Sequence, residues 1–262
     1  MDSVSRRKVL AHAGRLGVGF VAGLPALDRG TQAKGAARRS DAPKLKVIVA
    51  GGHPGDPEYG CGGTIVRYSA MGHEVVLLYL NNGEWPSSMG GAPAETRMAE
   101  AKKACEILGA RPVYAGQVNG KSIVDPPHYE DYLRIIQAER PDVVFSHWPI
   151  DNHADHRASW ALTYNAWLKM AKRFALYYYE VSSGEDTLQF SPTHYVDITE
   201  TVSRKRDACY AHASQTPDRY YRLQDTVAEF RGIESGHNRA EAYILQVESP
   251  HFTFPCLSSP IP

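Results

Sequence analysis

Five short runs of apolar residues constrain this chain more than any other feature: Lys46–Ala50 (KVIVA), Glu74–Leu80 (EVVLLYL), Arg111–Ala115, Asp142–Trp148 (DVVFSHW) and Ala175–Val181 (ALYYYEV). Continuous rather than alternating apolar character is what a strand needs when both faces of its sheet are covered. Between the runs lie stretches with helical spacing. Thr64–Met71 is stopped by Gly72. Ala94, Met98, Ala101, Cys105 and Leu108 repeat before Gly109. Tyr129, Leu133 and Ile136 precede Arg140-Pro141, and Trp160, Tyr164, Trp167 and Ala171 follow. Strand–helix alternation at this pitch predicts right-handed βαβ units. The expected fold is α/β, a three-layer αβα arrangement around a Rossmann-like, mostly parallel sheet. Residues 194–246 add short strands and two helices, and no internal repeat or linker divides residues 45–262.

The polar residues concentrate where two of these strands end. After the first comes Gly51–Gly63 (GGHPGDPEYGCGG), with His53, Asp56 and Glu58 among turn-forming Gly and Pro. After the fourth comes Asp151-Asn152-His153-Ala154-Asp155-His156. In an open parallel sheet, loops at the carboxyl edge converge even when about 100 residues separate them. His53 and Asp56 with His156 would supply two imidazoles and a carboxylate, a donor set suited to catalytic Zn2+ with one position left open. The other histidines, His73, His128, His194, His237 and His251, stand alone and read as surface or core residues.

Charge excludes some partners. The chain is formally neutral, yet residues 1–46 hold ten Lys/Arg against three Asp/Glu, leaving −7 on the remainder. A mildly acidic body with no basic stripe argues against a nucleic-acid partner. The basic segment contains Ser5-Arg6-Arg7-Lys8-Val9-Leu10, a weakly apolar run from Leu16 to Leu27 too short for a membrane span, and Thr31-Gln32-Ala33. This pattern resembles a bacterial twin-arginine export signal over residues 1–33, with 34–44 as a linker. The protein is therefore expected in the periplasm or outside the cell. Four scattered cysteines, Cys61, Cys105, Cys209 and Cys256, form no C-x-x-C pair, and sequence does not pair them. Self-association into a homo-oligomer is left open.

H-P-x-D after a first strand, followed about a hundred residues later by H-x-D-H, resembles the LmbE-like (PIG-L) zinc N-deacetylases. Arg97-Met98-Ala99-Glu100, Lys205 with His212-Ala213-Ser214-Gln215, and Ala240-Glu241-Ala242-Tyr243 extend the likeness over roughly residues 45–247. The resemblance implies Zn2+ held by His53, Asp56 and His156. It implies that His153 stabilises the oxyanion or protonates the leaving amine, and that Asp155 orients a histidine. The implied substrate is an N-acetylated amino sugar or glycoconjugate. One position departs from the pattern: where the family carries an aspartate as general base, this chain has Gly55. Glu58 and Asp155 are the candidate substitutes. The alternative expectation is a zinc-containing carbohydrate-binding relative with little turnover. A nucleotide site is disfavoured by the absence of G-x-G-x-x-G and by the acidic turn, and a serine hydrolase by the absence of G-x-S-x-G.

Overall fold

The computed structural model describes residues 44–181 and 188–250. The export pattern, nearly all of the linker and Cys256 lie outside these residues. Among the described residues, no helix is long and apolar enough to cross a membrane.

Seven strands form one sheet: β1 (Lys46–Gly51), β2 (Glu74–Asn81), β3 (Arg111–Gln117), β4 (Val143–His147), β5 (Ala175–Tyr179), β6 (His194–Asp197) and β7 (Ala240–Leu245). Their spatial order is β3-β2-β1-β4-β5-β7-β6. The first five run parallel, and β7 inserts antiparallel between β5 and β6. The helices fully within the described residues are α1 (Asp56–Ala70), α2 (Ala94–Leu108), α3 (Pro126–Glu139), α4 (Ala154–Lys169), α5 (Val202–Tyr210) and α6 (Pro217–Ser235). The expected α/β architecture is the one observed.

Alternate residues of β1 divide the core between two layers. Val47 and Val49 meet Ile65 and Tyr68 of α1 and the Ala101, Ala104, Cys105 and Leu108 stripe of α2. Ile48 and Ala50 meet Tyr132 and Ile136 of α3 and Leu162 and Trp167 of α4. Met98 is not part of the α2 stripe; it is half exposed, while the neighbouring Arg97 is buried.

Two helices start earlier than their sequences suggest. Helix α1 begins at Asp56, not Thr64, so most of Gly51–Gly63 is helix. Three glycines there read as a turn, but the helix uses them for close approach. A Cβ on Gly60 would stand 2.4 Å from the Tyr179 ring, and one on Gly63 2.5 Å from Ile198. Helix α4 likewise starts at Ala154, placing Asp155 and His156 in its first turn. Both polar motifs therefore straddle a strand-to-helix turn.

The chain builds outward from β1 through β2 to β3, then returns to β4 on β1's other side. The carboxyl ends of β1 and β4 thus flank the point where strand order reverses, the usual ligand crevice of an open α/β sheet.

Candidate functional site

The first half of the site is set by backbone. Gly52 donates its N–H to His147 Nε2 at 2.9 Å, tying the end of β1 to the end of β4. The chain then turns through Gly55, whose φ of +115° strains any residue with a Cβ, and enters α1. Asp56 Oδ2 accepts from the His53 backbone N–H at 2.7 Å and lies 3.1 Å from His53 Nδ1. An acidic residue at this helix start is also favoured by the helix dipole.

The second half closes on the same oxygen. His156 Nε2 is 3.2 Å and His147 Nε2 3.3 Å from Asp56 Oδ2. The His147 and His156 rings stack with centroids 3.9 Å apart, and His156 Nδ1 donates to Asp151 Oδ2 at 2.9 Å. Asp155 reaches back across the cluster to accept from His53 Nε2 at 3.0 Å. It also accepts from the Gly120 N–H at 2.7 Å and the Asn81 amide at 3.3 Å. His153, exposed to solvent, caps α4 by accepting the Asp155 N–H on Nδ1, which leaves its proton on Nε2. Its ring centroid is 4.8 Å from that of His53 and 4.7 Å from that of His156.

Charge follows these contacts. Burial opposes a charged His156, but Asp56 and Asp151 outweigh it and raise its pKa to about 10. His53 is raised in the same way, against burial, by Asp56 and Asp155. Burial would raise the Asp56 carboxyl, yet His156 and His53 hold it well below the usual range. Asp155 is also lowered despite burial, by His53 and by the Gly120 N–H. Burial and the charge on His156 push His147 down to about 4, and burial with His156 and His53 lowers His153. The carboxylates thus favour the charged forms of His53 and His156 against burial.

These donors suit a divalent cation. Two overlapping groups, His53/His153/His156 and Asp56/His147/His156, each offer atoms within 4.8 Å of one another. A dication would meet the same carboxylates that favour positive charge on these rings, and imidazole with carboxylate is zinc-type chemistry. His147 fits least, because its Nε2 lone pair already accepts the Gly52 N–H while the buried Nδ1 lacks a hydrogen-bond partner. The three residues picked out by spacing, His53, Asp56 and His156, are divided between these two groups, which share His156.

Of the residues singled out in the sequence, His53, Asp56, His153, Asp155 and His156 meet in one cluster. Glu58 stands apart behind it. It is fully buried, accepting from Tyr79 Oη at 2.7 Å and the Gly55 N–H at 3.1 Å, and its Oε1 lies 2.9 Å from His212 Nε2. Asp155 bonds the side chain of His53 rather than that of His153. Lys205 lies on α5, which ends at Tyr210; His212 lies beyond it and Gln215 in a 3-10 turn. Lys205 bonds Glu241 at 2.7 Å, and Glu241 accepts the Gly63 and Thr64 N–H groups. This pair clamps α1 away from the histidines. Arg97 holds the first site loop from behind, donating to the Pro54 carbonyl at 2.6 Å and to that of Gly83 at 3.2 Å. Trp148 packs on Tyr178 and Phe190, whereas Trp85 remains 43% exposed.

Sequence reasoning missed His147, Asp151 and the Gly120 amide. His147 ends a strand and reads as strand; its signal is that it is the last residue of β4, at the same edge as His53. Asp151 was visible in the second motif but had no assigned partner. A backbone amide carries no sequence signal.

Residues 48–167 match the family described as PIG-L: GlcNAc-PI de-N-acetylase. The chain is 28% identical over 217 residues to the diacetylchitobiose deacetylase of Thermococcus kodakarensis, covering 75% of this chain and 81% of that protein. The crystal structure of a conserved protein from Thermus thermophilus superposes with a TM-score of 0.68 at 26% identity, covering 79% of this chain and 97% of that one. A 4-carboxy-2-hydroxymuconate hydratase from Pseudomonas putida shares the fold at TM-score 0.68 and 22% identity, over 80% of this chain and 98% of that one. The fold therefore does not by itself dictate amide hydrolysis.

Proposed function

We infer that this chain is a member of the PIG-L/LmbE-like deacetylases and hydrolyses the N-acyl amide of an amino sugar or glycoconjugate, in a metal-dependent way and after export. The observation that carries this reading is the convergence of His53, Asp56 and His156 about one carboxylate oxygen at the sheet's switch point. The similarity to a chitobiose deacetylase supports the sugar.

His53, Asp56 and His156 would hold Zn2+. Bound there, the ion would act as a Lewis acid on the amide carbonyl and lower the pKa of water. The protein's own groups do the rest. His153, its pKa lowered by burial and the neighbouring histidines, faces solvent and presents Nε2–H to the carbonyl oxygen as negative charge develops, while the proton that leaves with the amine comes from the attacking water. Asp155 fixes the His53 ring through Nε2, and Asp151 fixes His156 through Nδ1, so both rings are held before substrate arrives.

One feature favours a second reading, a sugar-binding relative with little turnover. Gly55 carries no carboxylate, Glu58 is engaged elsewhere on both oxygens, and the depressed pKa of Asp155 makes it a weak base. A positioned base is typically worth ~10²–10⁴ in rate. Amine release from N-acetylglucosamine and N,N'-diacetylchitobiose, with zinc and then with chelator, separates the readings. Chelator-sensitive release supports the hydrolase; a zinc-loaded protein that binds these sugars without releasing amine refutes it for them.

A further inference from the structure

Three polar side chains are buried together behind the first site loop: Glu58 of α1, Arg97 of α2 and His212 of the segment after α5. Two of them grip one peptide group from its two ends. Arg97 Nη2 donates to the Pro54 carbonyl at 2.6 Å, and Glu58 Oε2 accepts the Gly55 N–H at 3.1 Å. That carbonyl and that N–H belong to the same peptide, and it lies between His53 and Asp56. His212 touches both arms of the grip. Its Nε2 is 2.9 Å from Glu58 Oε1, and its Nδ1 is 3.4 Å from Arg97 Nη1. A guanidinium only donates, so Nδ1 accepts and the Nε2 proton goes to the carboxylate. Peptide, Glu58, His212 and Arg97 thus form a closed circuit of hydrogen bonds. The segment that carries His212 also braces Arg97. Ser214 donates its N–H and hydroxyl to Glu100 at 2.7 and 2.8 Å, and Glu100 accepts from Arg97 Nη1 at 3.0 Å.

We propose that His212 is a positioning residue for the metal site, acting through Glu58 and Arg97 to hold the Pro54–Gly55 peptide and with it the spacing of His53 and Asp56. This rests on the metal-holding reading above. Gly55 has no Cβ, so several backbone conformations are open to it, and φ +115° is only one of them. Rotation of its peptide would turn the chain between the two donors. A buried network whose members are all satisfied is rigid, and this one fixes that rotation. Without the imidazole, Glu58 and Arg97 lose the group that sets one against the other, and the peptide loses its restraint. His212 therefore acts on the donors from one step away, by way of the main chain.

The test titrates Zn2+ into chelator-treated full-length protein by calorimetry, for wild type, His212→Leu, His212→Gln and Tyr79→Phe. Glutamine can still donate to Glu58, whereas leucine cannot. Tyr79 donates to Glu58 Oε1 at 2.7 Å, so Tyr79→Phe removes a bond to the same carboxylate but leaves the circuit closed. The expected result is zinc bound about tenfold more weakly by His212→Leu, and within about twofold of wild type by His212→Gln and Tyr79→Phe. Wild-type affinity in His212→Leu overturns the proposal. So does an equal loss in Tyr79→Phe, which assigns both residues to stability alone. If His212→Leu does not fold, His212→Asn, polar but too short to reach Glu58, takes its place with the same expected loss. If wild type takes up no zinc, the metal reading falls, and hydrogen exchange at the Gly55 amide of the metal-free proteins decides the clamp. Exchange about tenfold faster than in wild type, with the α1 amides unchanged, upholds it; unchanged exchange at Gly55 overturns it.

Discussion

His53 Nε2 lies 3.0 Å from Asp155 Oδ2, joining residues 102 positions apart. Because Asp56 holds the other nitrogen of the same ring, His53 can neither rotate nor leave without breaking two carboxylate contacts. The ring is oriented before any ion or substrate arrives. Such preorganisation is where second-sphere carboxylates act on metal affinity.

Metal binding should stabilise the folded chain, since the donors converge only when it is folded. Zinc added to chelator-treated wild type should raise its melting temperature, and Asp56→Asn and His156→Ala should abolish that rise along with any amine release. Asp155→Asn should weaken zinc about 10–100-fold rather than abolish binding. Calorimetric titration and metal analysis check all three variants.

Placing an aspartate at Gly55 should not supply a base. At φ +115° a side chain is strained, and its Cβ would point at the Tyr59 ring 3.6 Å away and toward His212 at 4.0 Å. Gly55→Asp and Gly55→Ala should both cost ~1–3 kcal/mol in urea denaturation, without faster amine release. A faster Gly55→Asp enzyme of unchanged stability would show that the turn adapts.

Gly60 and Gly63 should resist any side chain. Gly60→Ala and Gly63→Ala gain helix propensity but drive a methyl into Tyr179 and Ile198, so each should lose ~1–3 kcal/mol. Chemical denaturation gives the sign directly; a stabilised Gly60→Ala would mean that α1 moves away from β5 at little cost.

The Lys205–Glu241 pair is buried, so removing one partner leaves a charge unpaired. Lys205→Met should cost ~3–5 kcal/mol. Burial opposes the lysine's charge but Glu241 raises its pKa above the usual 10.5. Its contribution is therefore complete below that pH and lost as pH rises through the higher folded value. Wild type should weaken in alkali more steeply than Lys205→Met, as read by denaturation midpoints from about pH 9 to 11.

The sheet was legible because its strands are local: five apolar runs mark β1 to β5 within a residue or two. The insertion of β7 between β5 and β6 was not, since that pairing joins Tyr179 to Tyr243 across 64 positions with no pattern to announce it. In the site, the spacing of His53, Asp56 and His156 carried the reading. Glycines misled it, because Gly60 and Gly63 serve packing partners that only folding brings near. His147 stayed hidden for the opposite reason, looking like one more residue of a buried strand.

The Gly120 amide that bonds Asp155 makes the β3–α3 segment part of the site by main chain alone. Beyond Asn119, whose amide ties the segment to the Glu84 carbonyl, side chains can change while the course of the chain cannot. A lineage, or an engineer, can thus exchange residues 118, 121 and 123 to retune what is recognised. The histidine held through Asp155 stays where it was, provided that one peptide group keeps its place.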